Sequence, residues 1–435
     1  MKNAVPGTPA PAGSRTLSRT LGPVLLAGLL WVSPLQAQTT PGASVDELLA
    51  LARERAPELA VMRLEAEAAE ERIVPAGAFP DPMFRMELQD LDNEGRGFPV
   101  VLPHKVGATK YTFVQTLPWF GKRDARRAGA QADAEAARHR IDESWLEIEL
   151  RIKTAYAQYW QLARVEQLTR EVLDLLDRLE EIAQARYAGG LAAQQDAIRA
   201  RTERTMIESE LVVLEGERAR AVAIINAILR RSATADLARP ERLKPVPAPA
   251  ALEFEALAAR VAARNPTLAA EAARVTSAEQ ARELAYRNRY PDLSFGVSPI
   301  QRGSRIAEWE VMVEVAIPLQ QGARRSQERE AERMRDAAAA RRAAAFERLK
   351  GELGGALAAL ESARRTESLI EGRLLPLAQV NFDSALAGYE NGRIDFAALL
   401  EAQRQIRNAR LSIAKAQAEQ RMRLAELERI VGDEL

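Results

Sequence analysis

Carboxylates at alternate positions are the chemistry this chain offers most openly. Glu308, Glu310 and Glu314 alternate with Trp309, Val311, Val313, Val315 and Ile317, and Glu87 lies between Met86 and Leu88 in a shorter run of the same kind. Side chains two apart on a strand share a face, so each run predicts a strand with one apolar and one charged side. A wall of carboxylates draws cations through without fixing any one of them, and Arg85 and Arg302 partly offset it. Met83, Met86 and Met312 carry soft sulfur of the kind Cu(I) favours. Met86, however, falls in the apolar register, and scattered methionines are ordinarily packing. His104 and His139 have no partner at ligand spacing, and with no cysteine there is no thiolate, disulfide or sulfur nucleophile. The chain contains no G-x-S-x-G, H-E-x-x-H, P-loop or dinucleotide fingerprint. No catalytic residue, metal site or cofactor is therefore expected.

The elements that must carry such strands are long. Aromatic residues make up 5% of the 435, and alanine, glutamate, arginine and leucine dominate long stretches, which favours extended helical packing over a compact core. The stretch 122–188 predicts one helix of roughly 100 Å at 1.5 Å per residue. Within it Trp145, Ile148, Ile152, Ala155, Tyr159 and Leu162 step by threes and fours, as in a coiled-coil seam. The stretch 323–389 predicts a second, richer in alanine, in which Pro376 should kink the helix or change its winding.

This layout occurs twice. Residues 38–231 give a helix over Val45–Val74, strands 82–89 and 109–117, the long helix and a return helix 191–231. Residues 252–435 give a helix over Leu252–Arg289, strands 291–299 and 308–317, the second long helix and a return helix 394–431. The stretch 232–251, with Pro240, Pro245, Pro247 and Pro249, reads as a linker wrapping the outside. Leu117-Pro118-Trp119-Phe120-Gly121 is answered by Ile317-Pro318-Leu319-Gln320-Gln321-Gly322, and Tyr187-Ala188-Gly189-Gly190 by Tyr389-Glu390-Asn391-Gly392. Repeated strand-and-helix units suggest a scaffold or a conduit.

Arg15 and Arg19 before the apolar run Leu21–Val32, with Leu35-Gln36-Ala37 after it, read as an export signal, residues 1–37. Its removal takes away Lys2, Arg15 and Arg19, leaving 58 basic against 61 acidic groups, a net −3 that gives nucleic-acid binding no support. The apolar face of the strands fits either a soluble sheet packed on a core or an outer-membrane barrel facing lipid. Four strands on such helices have no apolar layer to cover them, which favours lipid. They also fall short of the roughly 8 that the smallest membrane barrels need, so oligomerisation is obligatory. An exported coiled-coil tethering protein with a small soluble sheet is the alternative from another class.

The duplicated layout, the corner Leu117-Pro118-Trp119-Phe120-Gly121-Lys122, the tip Tyr389-x-x-Gly392 and Leu400-Glu401-Ala402 make the chain resemble the TolC-like outer-membrane factors over all of its mature length. The resemblance implies a mainly helical homotrimer with a twelve-stranded β-barrel in the outer membrane of a Gram-negative bacterium. An α-helical barrel would continue it through the periplasm. It further implies a passive exit duct engaged by a periplasmic adaptor (membrane fusion protein) and an RND-type inner-membrane pump. The Pro118-Trp119-Phe120-Gly121 corner is most similar to the heavy-metal branch of the CusC and CzcC kind, many of whose members are lipoproteins. This chain has no cysteine to lipidate. Drug efflux and type I protein secretion are the alternatives within the family.

On that resemblance Arg85, Glu87, Glu308, Glu310 and Glu314 would line the barrel lumen. Pro118, Trp119, Phe120, Gly121, Pro318 and Gly322 would mark the membrane-interface corners, with Lys122, Arg123, Arg126 and Arg127 meeting lipid headgroups or forming a solvated basic turn. Gly189, Gly190, Leu191, Asn391, Gly392 and Arg393 would be the tips that meet the adaptor, or simple helix ends. Arg199 and Glu401 lie 202 positions apart (199 to 401), the same offset as Tyr187 and Tyr389. Glu401 carboxylates paired with Arg199 on a neighbouring helix, near Tyr389, would latch a periplasmic gate worked from the second half. An exposed pair contributes only about 0–1 kcal/mol, so the latch needs burial or several pairs together.

Overall fold

The computed structural model describes residues 40–91 and 101–435; the expected export signal and part of the stretch between the expected strands 82–89 and 109–117 lie outside them. The first half comprises α1 (Val45–Arg55), α2 (Pro57–Glu71), α3 (Ile73–Gly77), β1 (Met83–Gln89), β2 (Ala108–Leu117), α4 (Lys122–Ala188) and α5 (Gln194–Ile228). The second comprises α6 (Phe254–Arg264), α7 (Pro266–Arg287), β3 (Leu293–Arg302), β4 (Arg305–Val315), α8 (Gln321–Leu369), α9 (Leu375–Glu390) and α10 (Phe396–Val431).

Several expected helices are shorter or broken, each for a local reason. The helix expected over 45–74 breaks at Ala56, whose extended backbone precedes Pro57, and that over 252–289 breaks at Asn265 before Pro266. A residue before proline is pushed out of the helical region, while proline itself suits the first turn of the next helix. Asn265 also accepts from the Leu268 N–H at 3.2 Å, capping α7. The first return helix starts at Gln194 rather than 191 and stops at Ile228, because the tip occupies 189–193 and Arg230 is left-handed at φ 53°. The second starts at Phe396, where Asp395 caps the Ala398 N–H at 2.9 Å. The second long helix changes winding at a π turn over Ile370–Leu374, just ahead of Pro376. Pro376 has no N–H for a carbonyl one turn back, and the wider turn accommodates the missing bond.

The strands form one antiparallel sheet in the order β1-β2-β3-β4. Their limits differ slightly from expectation: β4 begins at Arg305, straight after a tight turn through Gly303 (φ 62°), and ends at Val315. The register sets Phe84, Phe113, Val297 and Val311 in one row and Arg85, Thr112, Ser298 and Glu310 in the next. The apolar rows are the open ones, with Phe113 57% and Val311 78% exposed. On the two central strands the polar rows are crowded, with Thr112 and Ser298 buried and their hydroxyls 2.9 Å apart, while the polar residues of β4 are exposed. No helix packs extensively against either face among the described residues. A sheet whose central polar residues bury one another is curved toward that side, and this one is left open along β1 and β4.

The helices form a layer with a defined order. Towards the sheet α4 lies between α2 and α7, and α7 meets α8; towards the tips α4 lies between α5 and α10, and α10 meets α8 and α9. Buried stripes hold this together: Ile148, Ile152 and Tyr156 of α4 with Leu48, Ile225 and Leu229; Leu176 and Leu179 with Ile207, Phe396 and Leu399. A third cluster joins Leu257, Leu353, Leu427 and Ile430. A fully buried side chain of this size contributes about 1.5–3 kcal/mol. The 232–251 stretch is tied along the outside: the Tyr159 hydroxyl donates to Ala238 O at 3.3 Å, and the Ala238 N–H to Pro41 O at 3.0 Å.

Candidate functional site

Three places gather the candidate residues: the polar wall of the sheet, the two strand-to-helix corners, and the two helical tips. On the wall, Glu308 and Glu310 are not free carboxylates. Glu310 is paired with Lys110 across the sheet, Glu308 lies 3.2 Å from Arg302, and Glu87 lies 3.7 Å from Arg85. Lys110 escaped the sequence reading, although it shares the polar register of Thr112. Glu314 alone of the four lacks a cation partner among the described residues. Met86 lies in the exposed apolar row while Met83 and Met312 lie in the polar one, and His104 is exposed. No three His, Asp or Glu side chains among the described residues converge on a metal-sized space.

The first corner is closed by the second half of the chain. Asp292, immediately before β3, accepts from the Trp119 N–H at 2.8 Å and from Lys122 Nζ at 2.8 Å. Lys122 is buried and also donates to Tyr290 O at 2.9 Å, and the Tyr290 ring stacks on Trp119 with centroids 5.3 Å apart. Burial pushes the Asp292 carboxyl up, but the Lys122 and Trp119 hydrogen bonds outweigh it and hold it below its ordinary range. Gly121 turns here at φ 78°, and a Cβ on it would collide with the Arg287 guanidinium; that arginine donates to Phe120 O at 3.0 Å. Arg123 donates to Gly77 O at 2.9 Å and lies over the Phe79 ring. Two of the four corner cations are thus committed inside the protein, which corrects the expectation that Lys122 and Arg123 face headgroups or solvent. Phe120 remains outward, 79% exposed. At the second corner Leu319 is 83% exposed and Gly322 has open space about it.

The tips share one backbone design. The Leu191 N–H reaches back to Arg186 O at 2.8 Å and the Arg393 N–H to Gly388 O at 2.8 Å, with Gly190 and Gly392 left-handed at φ 67° and 69°. These six-to-one bonds with a left-handed glycine are the Schellman closure of a helix. Arg186 then ties the tips together: its guanidinium donates to Glu390 O and to Leu191 O, and lies over the Tyr389 ring. Tyr389 is buried against Phe396, with centroids 5.2 Å apart. Arg199 and Glu401 do not pair within one chain. The charges that join the two return helices are Glu203 with Arg404 and Glu210 with Arg407, and Arg204 reaches Asp177 on α4. Sequence spacing held a partial signal for these pairs, since Glu203 and Arg404 are 201 apart, one short of the offset between the tips.

The sequence profile of the outer membrane efflux protein family matches residues 48–229 and 257–433. Among solved structures the chain is similar to CusC at 16% identity and a TM-score of 0.76, over 89% of this chain and 92% of that one. It is similar to the outer membrane protein VceC of Vibrio cholerae at 17% identity and 0.75, over 90% and 96%. It is also similar to the open state of the MtrE outer membrane channel of Neisseria gonorrhoeae, at 16% identity and 0.73, over 90% and 89%. At these identities the likeness is one of fold. No curated protein sequence matches significantly.

Proposed function

This chain belongs to the outer membrane efflux protein family, a family of channels and not of enzymes, and from that premise we propose that it is the passive exit duct of a tripartite pump. The duct is a homotrimer. Its two structural repeats, 38–231 and 252–435, bring four strands from each copy to a twelve-stranded barrel in outer-membrane lipid. A periplasmic helical barrel, met at its tips by an adaptor and served by an RND-type pump, continues it.

One observation carries the assembly: each layer of the fold ends in two unpartnered edges, one from each half. The sheet ends in β1 and β4, the layer near it in α2 and α8, and the layer near the tips in α5 and α9. The α5 edge, and the π turn and end of α8 that lead into α9, carry exposed apolar residues at matching depths. Met206 and Val212 lie about 26 and 35 Å from Gly189 at the first tip, and Leu374 and Leu369 about 26 and 33 Å from Asn391 at the second, at 1.5 Å per residue. Stripes at equal heights on opposite edges suit a ring, in which every copy presents both. Glu314, without a cation of its own, and Glu308 and Glu310 beside it favour cations in the lumen, which supports heavy-metal ions as cargo. Drug export is the second reading, favoured by cations that already answer most of the wall carboxylates.

Extraction from outer membranes as a trimer, with raised metal sensitivity of a deletion strain and cation-preferring conductance, is the expected outcome. A water-soluble monomer would overturn the duct. Sensitivity to drugs alone would overturn the metal cargo and leave the duct standing.

A further inference from the structure

The closed first corner is a template for a joint that one chain cannot make. Tyr290-Pro291-Asp292 before β3 has a counterpart in Phe79-Pro80-Asp81 before β1, 211 positions earlier (81 to 292). The corner after β2, which Asp292 holds, has its counterpart after β4, 200 positions later (117 to 317). Asp292 receives a cation and a backbone N–H, and Tyr290 receives an aromatic ring. Asp81 is exposed and has no ion pair or hydrogen bond among the described residues, and Phe79 is 51% exposed. At the second corner Leu319 is bare, the first turn of α8 has no acid, and Arg324 has no side-chain partner among the described residues. Apart from Arg123, which lies over one face of Phe79, the donor and acceptor sets that meet inside the chain at one corner are unfilled at the other among the described residues.

Resting on the trimeric reading above, we propose that β4 of one copy pairs with β1 of the next in a fixed register. In the same joint, Asp81 of that next copy takes Arg324 while its Phe79 covers Leu319. The register follows from the inner joint, where Leu117 faces Leu293, Gln115 faces Phe295 and Val114 faces Gly296. Applying the two offsets sets Ile317 opposite Pro82, Val315 opposite Phe84 and Glu314 opposite Arg85. Two independent features agree with it. The rows stay sorted, because Val315 and Val313 fall opposite Phe84 and Met86 on the apolar face. Glu314, which lacks a cation among the described residues, falls opposite Arg85, whose only partner among them is Glu87, at 3.7 Å between two exposed side chains. A register slipped by two residues one way would set Glu314 against Glu87, two like charges face to face, which is destabilising, and the other way against Met83, which offers it no cation.

The test uses the full-length protein, whose lack of native cysteine leaves introduced pairs unambiguous. Directly opposed antiparallel residues lie about 4.5–5.5 Å apart at Cα, within disulfide reach, whereas a two-residue slip does not bridge. Glu314→Cys with Arg85→Cys is expected to give oxidant-dependent chain-to-chain links in the extracted trimer, and Glu314→Cys with Glu87→Cys none. Links in the second pair alone, or in neither while the mass remains trimeric, would overturn the register. A monomer throughout would instead overturn the trimer on which it rests. For the corner, Asp81→Arg is expected to lower the temperature at which the trimer falls apart in detergent, and Arg324→Asp added to it to restore that temperature. An unshifted Asp81→Arg, or no restoration, would remove Asp81 from the joint.

Discussion

Tyr187 and Tyr389 open two turns with matching backbone hydrogen bonds, yet Tyr187 is 47% exposed and Tyr389 is 2% exposed. The difference comes from two positions about the turn. Where the first tip has Arg186 the second has Gly388, and where the second has Phe396 the first has Gln194, each pair at the 202-residue offset of the tyrosines. Arg186 therefore reaches outward across both tips, while Gly388 leaves room for Ile394, 3.2 Å from where a Cβ would stand. Phe396 meanwhile gives Tyr389 a buried ring to rest on. A turn is fixed by a handful of local residues; what the turn does is fixed by the side chains that differ around it.

The sharpest break in this comparison is Phe396→Ala. Removing a fully buried ring should cost about 3–5 kcal/mol and release Tyr389, read as a loss of amide-exchange protection in 385–400 with 183–194 less affected. Arg186→Ala should come next, at about 1–2 kcal/mol from a lost cation–π contact and hydrogen bonds to the tips. It should loosen both tips together, whereas a defect confined to one would deny that the arginine bridges them. Alkaline titration sharpens the contrast. Burial first, then the Asp196 charge, pushes the Tyr389 phenol above its ordinary value of 10.0. A raised folded-state value means that the stabilisation is complete below about pH 10 and is lost as pH climbs through the folded value. The second tip should therefore loosen in strong alkali, and Tyr389→Phe should abolish that dependence; alkaline loosening that survives the substitution would show another group at work. The smallest effect belongs to Tyr187→Ala, within about 0.5 kcal/mol by thermal unfolding, as for an exposed side chain with no hydrogen bond or ion pair among the described residues.

Much of the architecture is legible in period and punctuation. Alternation gives the strands because every second residue of a one-sided sheet meets one environment, and glycines mark the tips because a left-handed residue is needed there. The breaks at Ala56 and Asn265 interrupt helices expected to run through 45–74 and 252–289, although each stands before a proline that signals the interruption. Other features depend on the far side of the chain. Nothing near Lys122 says that it is buried, because its partners Tyr290 and Asp292 lie about 170 residues on. The wall looked more acidic than it is for the same reason, as Lys110 finds Glu310 across 200 residues. The repeated Pro-Asp before β1 and β3 stood in the sequence, but acquired meaning only when one copy was seen to hold a corner.

The π turn at Ile370–Leu374 sets a direction as well as relieving Pro376. An α-helix rotates about 100° per residue, so a one-residue misfit in winding swings everything beyond it by that angle. Beyond it lie Leu375–Glu390 and therefore Tyr389, about 15 residues on. Had the helix wound regularly, the tyrosine would point a quarter-turn or more away from Phe396 and out of reach of Arg186. The aim of the second tip is thus set at a distance, by a misfit in winding that a single deleted residue would erase.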